Sequence, residues 1–238
     1  MELSVVIPAY NESDRIVDTL HTLAKYFEGK AVEILVVDDG SKDDTRLKVE
    51  ALRLPMVRVL SYGVNKGKGY AVRHGVLASK GRYVLMTDAD LSTPIECIED
   101  MQPHMAKYPV VIGSRALAQS QVTKNWFRGM LGTFGNSLIQ LILPGIQDTQ
   151  CGFKLFEASL ARELFAMQQI TGFGFDFEIL YLARKFGHSI LEIPVKWTHH
   201  AGSKVKPWHY VQTLSELATV VWFDVKGAYK FQPKQVPV

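Results

Sequence analysis

Short apolar runs alternate with segments whose apolar positions recur every three to four residues, and the alternation repeats along the first half of the chain. Leu3–Ile7 reads as a strand that Pro8 ends. Ile16, Leu20, Leu23, Ala24 and Phe27 share one face of the next helix, with Ser13 or Asp14 as its cap. Val32–Val37 is a second strand, bounded by Asp38-Asp39-Gly40-Ser41, and Ser41 and Asp44 have the spacing of a capping box. Met56–Ser61 is a third, followed by Gly63-Val64-Asn65-Lys66-Gly67-Lys68-Gly69 and a helix with Ala71, Val72, Gly75 and Val76 on one face. A fourth strand ends at Met86. Thr93 and Pro94 then read as N-cap and first residue of a helix with Ile95, Ile98, Met101 and Met105 inside.

This order predicts an α/β fold: a mostly parallel sheet with helices on both faces. Ligands of such sheets bind beyond the carboxyl ends of the strands. The polar segments fall there: Pro8 to Glu12, Asp38 to Ser41, Asn65 to Gly69 and Asp88 to Asp90. Val110–Arg115 reads as a further strand, 148–156 as another, and Ile190–Trp197 as the last. Helices are expected from Asn125, from Gly172 and over Tyr210–Tyr229.

A chain of 238 residues, 47% hydrophobic, is enough for one large domain and excludes wholesale disorder. A net charge of +3 is too slight to imply nucleic acid. Cys97 and Cys151 match neither a disulfide framework nor a zinc pattern, and read as reduced, buried thiols in a cytosolic setting. With a strand from the first residues, no signal peptide is expected. No apolar run reaches the roughly 18 residues of a spanning helix.

The chemistry centres on Asp88-Ala89-Asp90, two carboxylates delivered by a buried strand. Such a pair suits Mg²⁺ or Mn²⁺, which also bind phosphate oxygens; a solvated turn is the plain alternative. The first strand lacks the Gly-x-Gly-x-x-Gly turn, which disfavours a dinucleotide cofactor. The 63–69 loop fails the P-loop pattern, because Gly69 stands where Ser or Thr is required, although its glycines and lysines suit close approach to a diphosphate.

The ordered set Pro8-Ala9-Tyr10-Asn11-Glu12, Asp38-Asp39-Gly40-Ser41, Asn65-Lys66-Gly67-Lys68-Gly69 and Asp88-Ala89-Asp90 resembles the signature of family 2 inverting glycosyltransferases of the GT-A fold. The resemblance implies that Pro8, Tyr10, Glu12, Asp38, Asp39, Lys68, Asp88, Ala89 and Gln150 bind a nucleotide-sugar, with the metal on Asp88 and Asp90. Gly113-Ser114-Arg115, Asp148-Thr149-Gln150-Cys151-Gly152-Phe153-Lys154 and Phe175-Asp176-Phe177-Glu178 resemble the polyprenyl-phosphate sugar synthases, the dolichyl-phosphate β-glucosyltransferase type above all. Related mannose synthases carry Gln where this chain has Ser92, which weakens a mannosyl reading.

A phosphate monoester has a second pKa of about 6 and is largely ionised at neutral pH. As a nucleophile it needs positioning and charge neutralisation rather than a base. Arg115 and Arg128 suit that, with Lys204 and Lys206 on the loop after the last strand. A sugar hydroxyl would need a general base, for which Asp176 or Glu178 is first choice; otherwise these acids orient the donor sugar or are structural. His199 and His200 read as structural. Leu131–Leu143 and the stripe Val211, Leu214, Leu217, Ala218, Val221, Trp222 and Val225 offer contact with a membrane face; ordinary packing is the alternative.

The expectation is a GT-A catalytic domain over 1–200, with a nucleotide-sugar half (1–115) and an acceptor half (116–200). An acceptor loop and amphipathic helix follow over 201–238. The expected reaction is inverting transfer of glucose from UDP-glucose to a polyprenyl phosphate, by a peripheral protein at a cytoplasmic membrane face. The alternatives are GDP-mannose as donor, a sugar hydroxyl as acceptor, or a nucleotide-sugar-binding scaffold without catalysis.

Overall fold

Seven strands form one sheet in the order β3-β2-β1-β4-β7-β5-β8. They are β1 (Leu3–Ala9), β2 (Val32–Asp38), β3 (Val57–Ser61), β4 (Tyr83–Met86), β5 (Val110–Ser114), β7 (Lys154–Glu157) and β8 (Ile190–Pro194). A computed structural model describes residues 1–123, 140, 142–198 and 207–230, leaving aside the side chains of 207–214. The helices are α1 (Ile16–Tyr26), α2 (Thr45–Ala51), α3 (Lys68–Ala78), α4 (Ile98–Met101), α5 (Ala158–Met167), α6 (Phe175–Lys185) and α7 (Pro207–Val225). A two-stranded parallel pair, β6 (Gln121–Val122) with β9 (Lys196–Trp197), lies beside the main sheet in sequence order.

The parallel sheet foreseen from the β-loop-α order is present: β1 pairs parallel with β2 and β4, and β2 with β3. Every residue of β2 is buried, as expected of a strand covered on both faces. The exception is β7, antiparallel to both β4 and β5. Its first residue, Lys154, is therefore level with Met86 and Ile112, at the rim where β4 and β5 end. One apolar cluster carries Val6, Leu35, Val72, Phe156 and Phe175, and it also buries Leu217, Val220 and Tyr229 from the C-terminal segment. A second, with Val5, Leu20, Ile34 and Ile98, lines the other side.

Several local expectations are corrected. Pro8 does not end β1: it pairs with Val37 inside the strand. Pairing of β1 with β4 stops at Val6–Met86, so Pro8 has a neighbouring strand on one side only and its missing N–H leaves no gap in a ladder. Neither Ser13 nor Asp14 caps α1; Arg15 holds the N-cap position and makes no side-chain cap bond. Ser41 and Asp44 form no capping box, since Ser41 Oγ accepts from the Asn11 amide. Thr93 and Pro94 precede a 3-10 turn that leads into the short α4. The strand expected over 148–156 is confined to Lys154–Glu157, and the last strand is split at Val195.

The glycines of the 63–69 loop allow close backbone contact within the protein. Asp39 accepts from the Lys66 and Gly67 amides at 2.7 and 3.0 Å, and the Thr171 carbonyl accepts from Gly69 and Tyr70 at 2.8 and 3.3 Å. A Cβ on Gly69 would lie 2.8 Å from the Ile170 carbonyl oxygen and from Phe175 Cβ. Gly67 has φ 99°, and a Cβ there would strike the Thr171 carbonyl. Gly67→Ala is therefore expected to destabilise the protein by about 2–4 kcal/mol through strain and collision together. Urea unfolding of the purified variant measures it; a loss under about 0.5 kcal/mol would refute the close-approach reading.

Candidate active site

The turn after β4 is held by four hydrogen bonds, two to other elements and two within the turn. The Thr87 amide donates to the Val6 carbonyl, and the Leu91 amide to the Asp88 carbonyl. The Ala89 carbonyl accepts from Thr19 Oγ1 at 2.6 Å, and the Ser92 amide donates to Asp90 Oδ1 at 2.9 Å. Leu91 has φ 46°, a conformation unfavourable for a branched side chain and held here by the surrounding bonds. The result presents Asp88 and Asp90 together at the carboxyl end of β4. Asp88 Oδ1 lies 2.6 Å from Lys68 Nζ, and Asp90 Oδ2 lies 3.8 Å from Arg15 Nη1. Gly152 abuts the Asp88 carboxylate so closely that any Cβ would collide with it.

Two further ion pairs stand beside this turn. Arg115, immediately after β5, forks onto Asp148: Nε to Oδ2 at 2.7 Å and Nη2 to Oδ1 at 2.8 Å. The Arg115 amide donates to the same carboxylate, as does the Gln150 amide. Glu192 on β8 accepts from the Gln147 and Asp148 amides and fixes that loop. Lys154, only 1% exposed, places Nζ 2.5 Å from Asp176 Oδ1 and 2.5 Å from the Cys151 carbonyl oxygen.

The pairs act on one another. Burial pushes the Asp88 carboxyl up, but Lys68, Lys154 and Arg115 more than offset this and hold it below the usual carboxylate range. Asp148 is likewise lowered, burial being outweighed by Arg115. Lys68 is raised despite burial by Asp88, Asp176 and Asp90. Asp176 goes the other way: burial dominates the pull of Lys154 and Lys68, and the carboxyl is raised. Burial also drives the Cys151 thiol up to about 11, which keeps it protonated and unreactive at neutral pH.

Of the residues singled out from sequence, Lys68, Asp88, Asp90, Arg115 and Asp176 are thus wired into one polar group. Pro8, Tyr10 and Glu12 are half-buried at the end of β1. Asp38 and Asp39 are buried and already bonded: Asp38 to the Ser41 amide and Ser61 Oγ, Asp39 to Tyr62 and the 66–67 amides. Glu178 is not brought to the group. Its carboxylate accepts from the Gln169 and Ile170 amides and from Tyr229, which makes it a fastener of the α5–α6 turn. Arg128, Lys204, Lys206, His199 and His200 lie outside the described residues.

Sequence reasoning did not single out Asp148, Lys154 or Arg15 for the site. The first two sit in the 148–154 run quoted for its resemblance, where only Gln150 was singled out. Opposite charges at the two ends of that short run, Asp148 and Lys154, were the available signal.

Asp88 and Asp90 offer hard oxygen donors, and among the described residues no cluster of three His, Cys, Asp or Glu is suited to hold a metal. Mg²⁺ sites commonly use one or two carboxylates with substrate phosphates and waters, so this pair fits a metal carried jointly with a phosphorylated ligand.

A family model described as glycosyl transferase family 2 matches residues 4–165. The chain is 36% identical over 251 residues to a Dictyostelium discoideum protein named dolichyl-phosphate beta-glucosyltransferase, covering 97% of this chain and 77% of that one. It is 34% identical over 253 residues to the Homo sapiens protein of the same name, covering 97% and 78%. A Mycobacterium tuberculosis glucosyl-3-phosphoglycerate synthase, solved with Mn²⁺, UDP-glucose and phosphoglyceric acid, superposes with TM-score 0.71 at 18% identity, covering 92% and 79%. That likeness is one of fold.

The Arg115–Asp148 pair carries a pH prediction. The Asp148 carboxyl is lowered in the folded state, so its contribution is complete above the ordinary carboxylate pKa and lost as pH falls through the folded value. Asp148→Asn is expected to cost about 3 kcal/mol at pH 7 and to flatten the fall in stability below about pH 4. Urea unfolding at pH 7, 5 and 3.5 decides; an acid slope equal to that of the parent protein would contradict it.

Proposed function

The chain belongs to glycosyl transferase family 2, and from that premise we propose that it transfers glucose, with inversion, from UDP-glucose to a dolichyl-type polyprenyl phosphate. The observation that carries the reading is the meeting of Asp88, Asp90 and Arg115 at one rim of the sheet. A pair of hard donors for a diphosphate-bound metal stands there beside an arginine suited to a second phosphate. The names of the relatives support glucose and dolichyl phosphate. The UDP-glucose and Mn²⁺ held by the neighbour of like fold support the donor class and a divalent metal.

Mg²⁺ or Mn²⁺ on Asp88 and Asp90 would stabilise charge on the departing diphosphate as a Lewis acid. An oxygen of the acceptor phosphate forms the new bond to the anomeric carbon as the bond to the diphosphate oxygen breaks. Arg115 positions that phosphate with the Nη1 edge outside its fork to Asp148. From the sequence alone, Arg128, Lys204 and Lys206 are assigned as further cations for the acceptor phosphate. Pro8, Tyr10, Glu12, Asp38, Asp39, Ala89 and Gln150 surround the donor. No base is required. This agrees with Asp176 being committed to Lys154 and Glu178 to the 169–170 turn, which disfavours a hydroxyl acceptor.

Among the described residues no helix is long and apolar enough to cross a membrane. Of the expected stripe on α7, Leu217 packs inward, joined by Val220, while Ala218 is exposed and Val221, Trp222 and Val225 are 42, 55 and 82% exposed; the side chains of Val211 and Leu214 lie outside the described residues. With Lys226 beside Trp222, this outward face supports peripheral contact with a membrane surface, which we assign to the cytoplasmic side.

Two measurements test the proposal. Labelled sugar from UDP-glucose is expected to enter lipid extract with dolichyl phosphate and Mn²⁺, to stop with chelator, and to fall at least about 100-fold in Asp90→Asn. Label from GDP-mannose instead would overturn the donor, and transfer only to a saccharide would overturn the acceptor. Separately, the triple change Val221→Ser, Trp222→Ser and Val225→Ser is expected to weaken co-sedimentation with anionic phosphatidylserine vesicles more than about tenfold. Undiminished vesicle binding would reject α7 as the contact.

A further inference from the structure

We infer that Lys68 is a resident counter-cation of Asp88 which a divalent metal must displace, and that the displaced ammonium turns to the donor diphosphate, so that metal and nucleotide bind cooperatively through this lysine. The inference rests on the function proposed above and adds a linkage to it.

Its ground is the placement of one ammonium group. Lys68 Nζ occupies Asp88 Oδ1 at 2.6 Å, an oxygen that a metal on this carboxylate would take. Lys68 is also the first residue of α3, where the helix dipole disfavours a cation. The acids Asp88, Asp176 and Asp90 are what hold the charge there. A dication on Asp88 and Asp90 would cancel two of the three and repel the ammonium directly.

The backbone of Lys68 does not follow, because the next two amides, Gly69 and Tyr70, are bonded to the Thr171 carbonyl. The flexible lysine stem is what moves. Asp176 offers it only a shared carboxylate, since Lys154 already holds Oδ1 at 2.5 Å. The remaining anion of the proposed complex is the diphosphate that arrives with the metal. Metal alone therefore leaves Lys68 only the shared Asp176 carboxylate, whereas metal with diphosphate supplies a new partner. Such coupling is reciprocal: each ligand tightens the other by the same factor.

The test is Mn²⁺ titration, read as free Mn²⁺ by electron paramagnetic resonance, with and without UDP. The parent protein is expected to bind Mn²⁺ weakly alone and about tenfold or more tightly with UDP. Lys68→Met is expected to bind Mn²⁺ alone about tenfold more tightly than the parent, with little further gain from UDP. Lys68→Arg should keep the parent pattern. Mn²⁺ binding by Lys68→Met that is no tighter than the parent overturns the inference.

A second readout needs no variant: the Lys68 side-chain resonances of the parent protein should shift on titration with Mg²⁺. Saturable Mg²⁺ binding that leaves them unmoved also overturns it. Linkage lost in Lys68→Met supports the inference even where lipid transfer fails, so the two proposals fall separately. Absence of any Mn²⁺ binding with UDP overturns both.

Discussion

Burying charge requires a partner for each charge, and that requirement shapes the whole rim of this sheet. Asp88 sits among Lys68, Lys154 and Arg115, each delivered by a different element: the start of α3, the start of β7 and the end of β5. For the buried Lys154–Asp176 pair, removing one partner leaves the other charge unbalanced away from water, at a cost of several kcal/mol. The loops are consequently held by electrostatics as much as by apolar contact. The reversed direction of β7 is essential to this, because it brings Lys154 to the rim where β4 and β5 end.

The acids singled out from sequence differ in what fills their oxygens. Asp39 and Glu178 have their oxygens filled by backbone amides and a tyrosine hydroxyl, and they tie loops down. Asp88 is met by Lys68, and Asp90 by Arg15 on Oδ2 beside the Ser92 amide on Oδ1; the long cationic side chains can move aside where backbone amides cannot. The chemical role of an acid here follows from the mobility of what it touches. The same logic accounts for the 63–69 loop, whose amides are bonded within the protein while the Lys68 side chain faces the site.

The C-terminal helix serves both readings of its apolar residues. Leu217 and Val220 join the core, and Val221, Trp222 and Val225 form a separate outward face. The two sets lie on adjoining faces of one helix, Leu217 standing one turn before Val221, so the boundary between core and exposed surface runs along the apolar stripe. Tyr229, beyond the helix, returns to the core and bonds Glu178.

The sequence by itself determined the parallel strands β1 to β4, the position of Asp88 and Asp90 at a strand end, and the inward faces of α1 and α3. Those features rest on local periodicity and on turn residues next in sequence to the strands they end, so nothing distant is needed to read them. Only the tertiary structure decided that Asp39 and Glu178 fasten loops, that Lys68 pairs with Asp88 across 20 residues, and that Lys154 pairs with Asp176 across 22. It also decided the direction of β7 and which side of α7 faces out. Each depends on which elements become neighbours in space, and a carboxylate or ammonium carries no mark in the sequence of the partner that packing will bring to it.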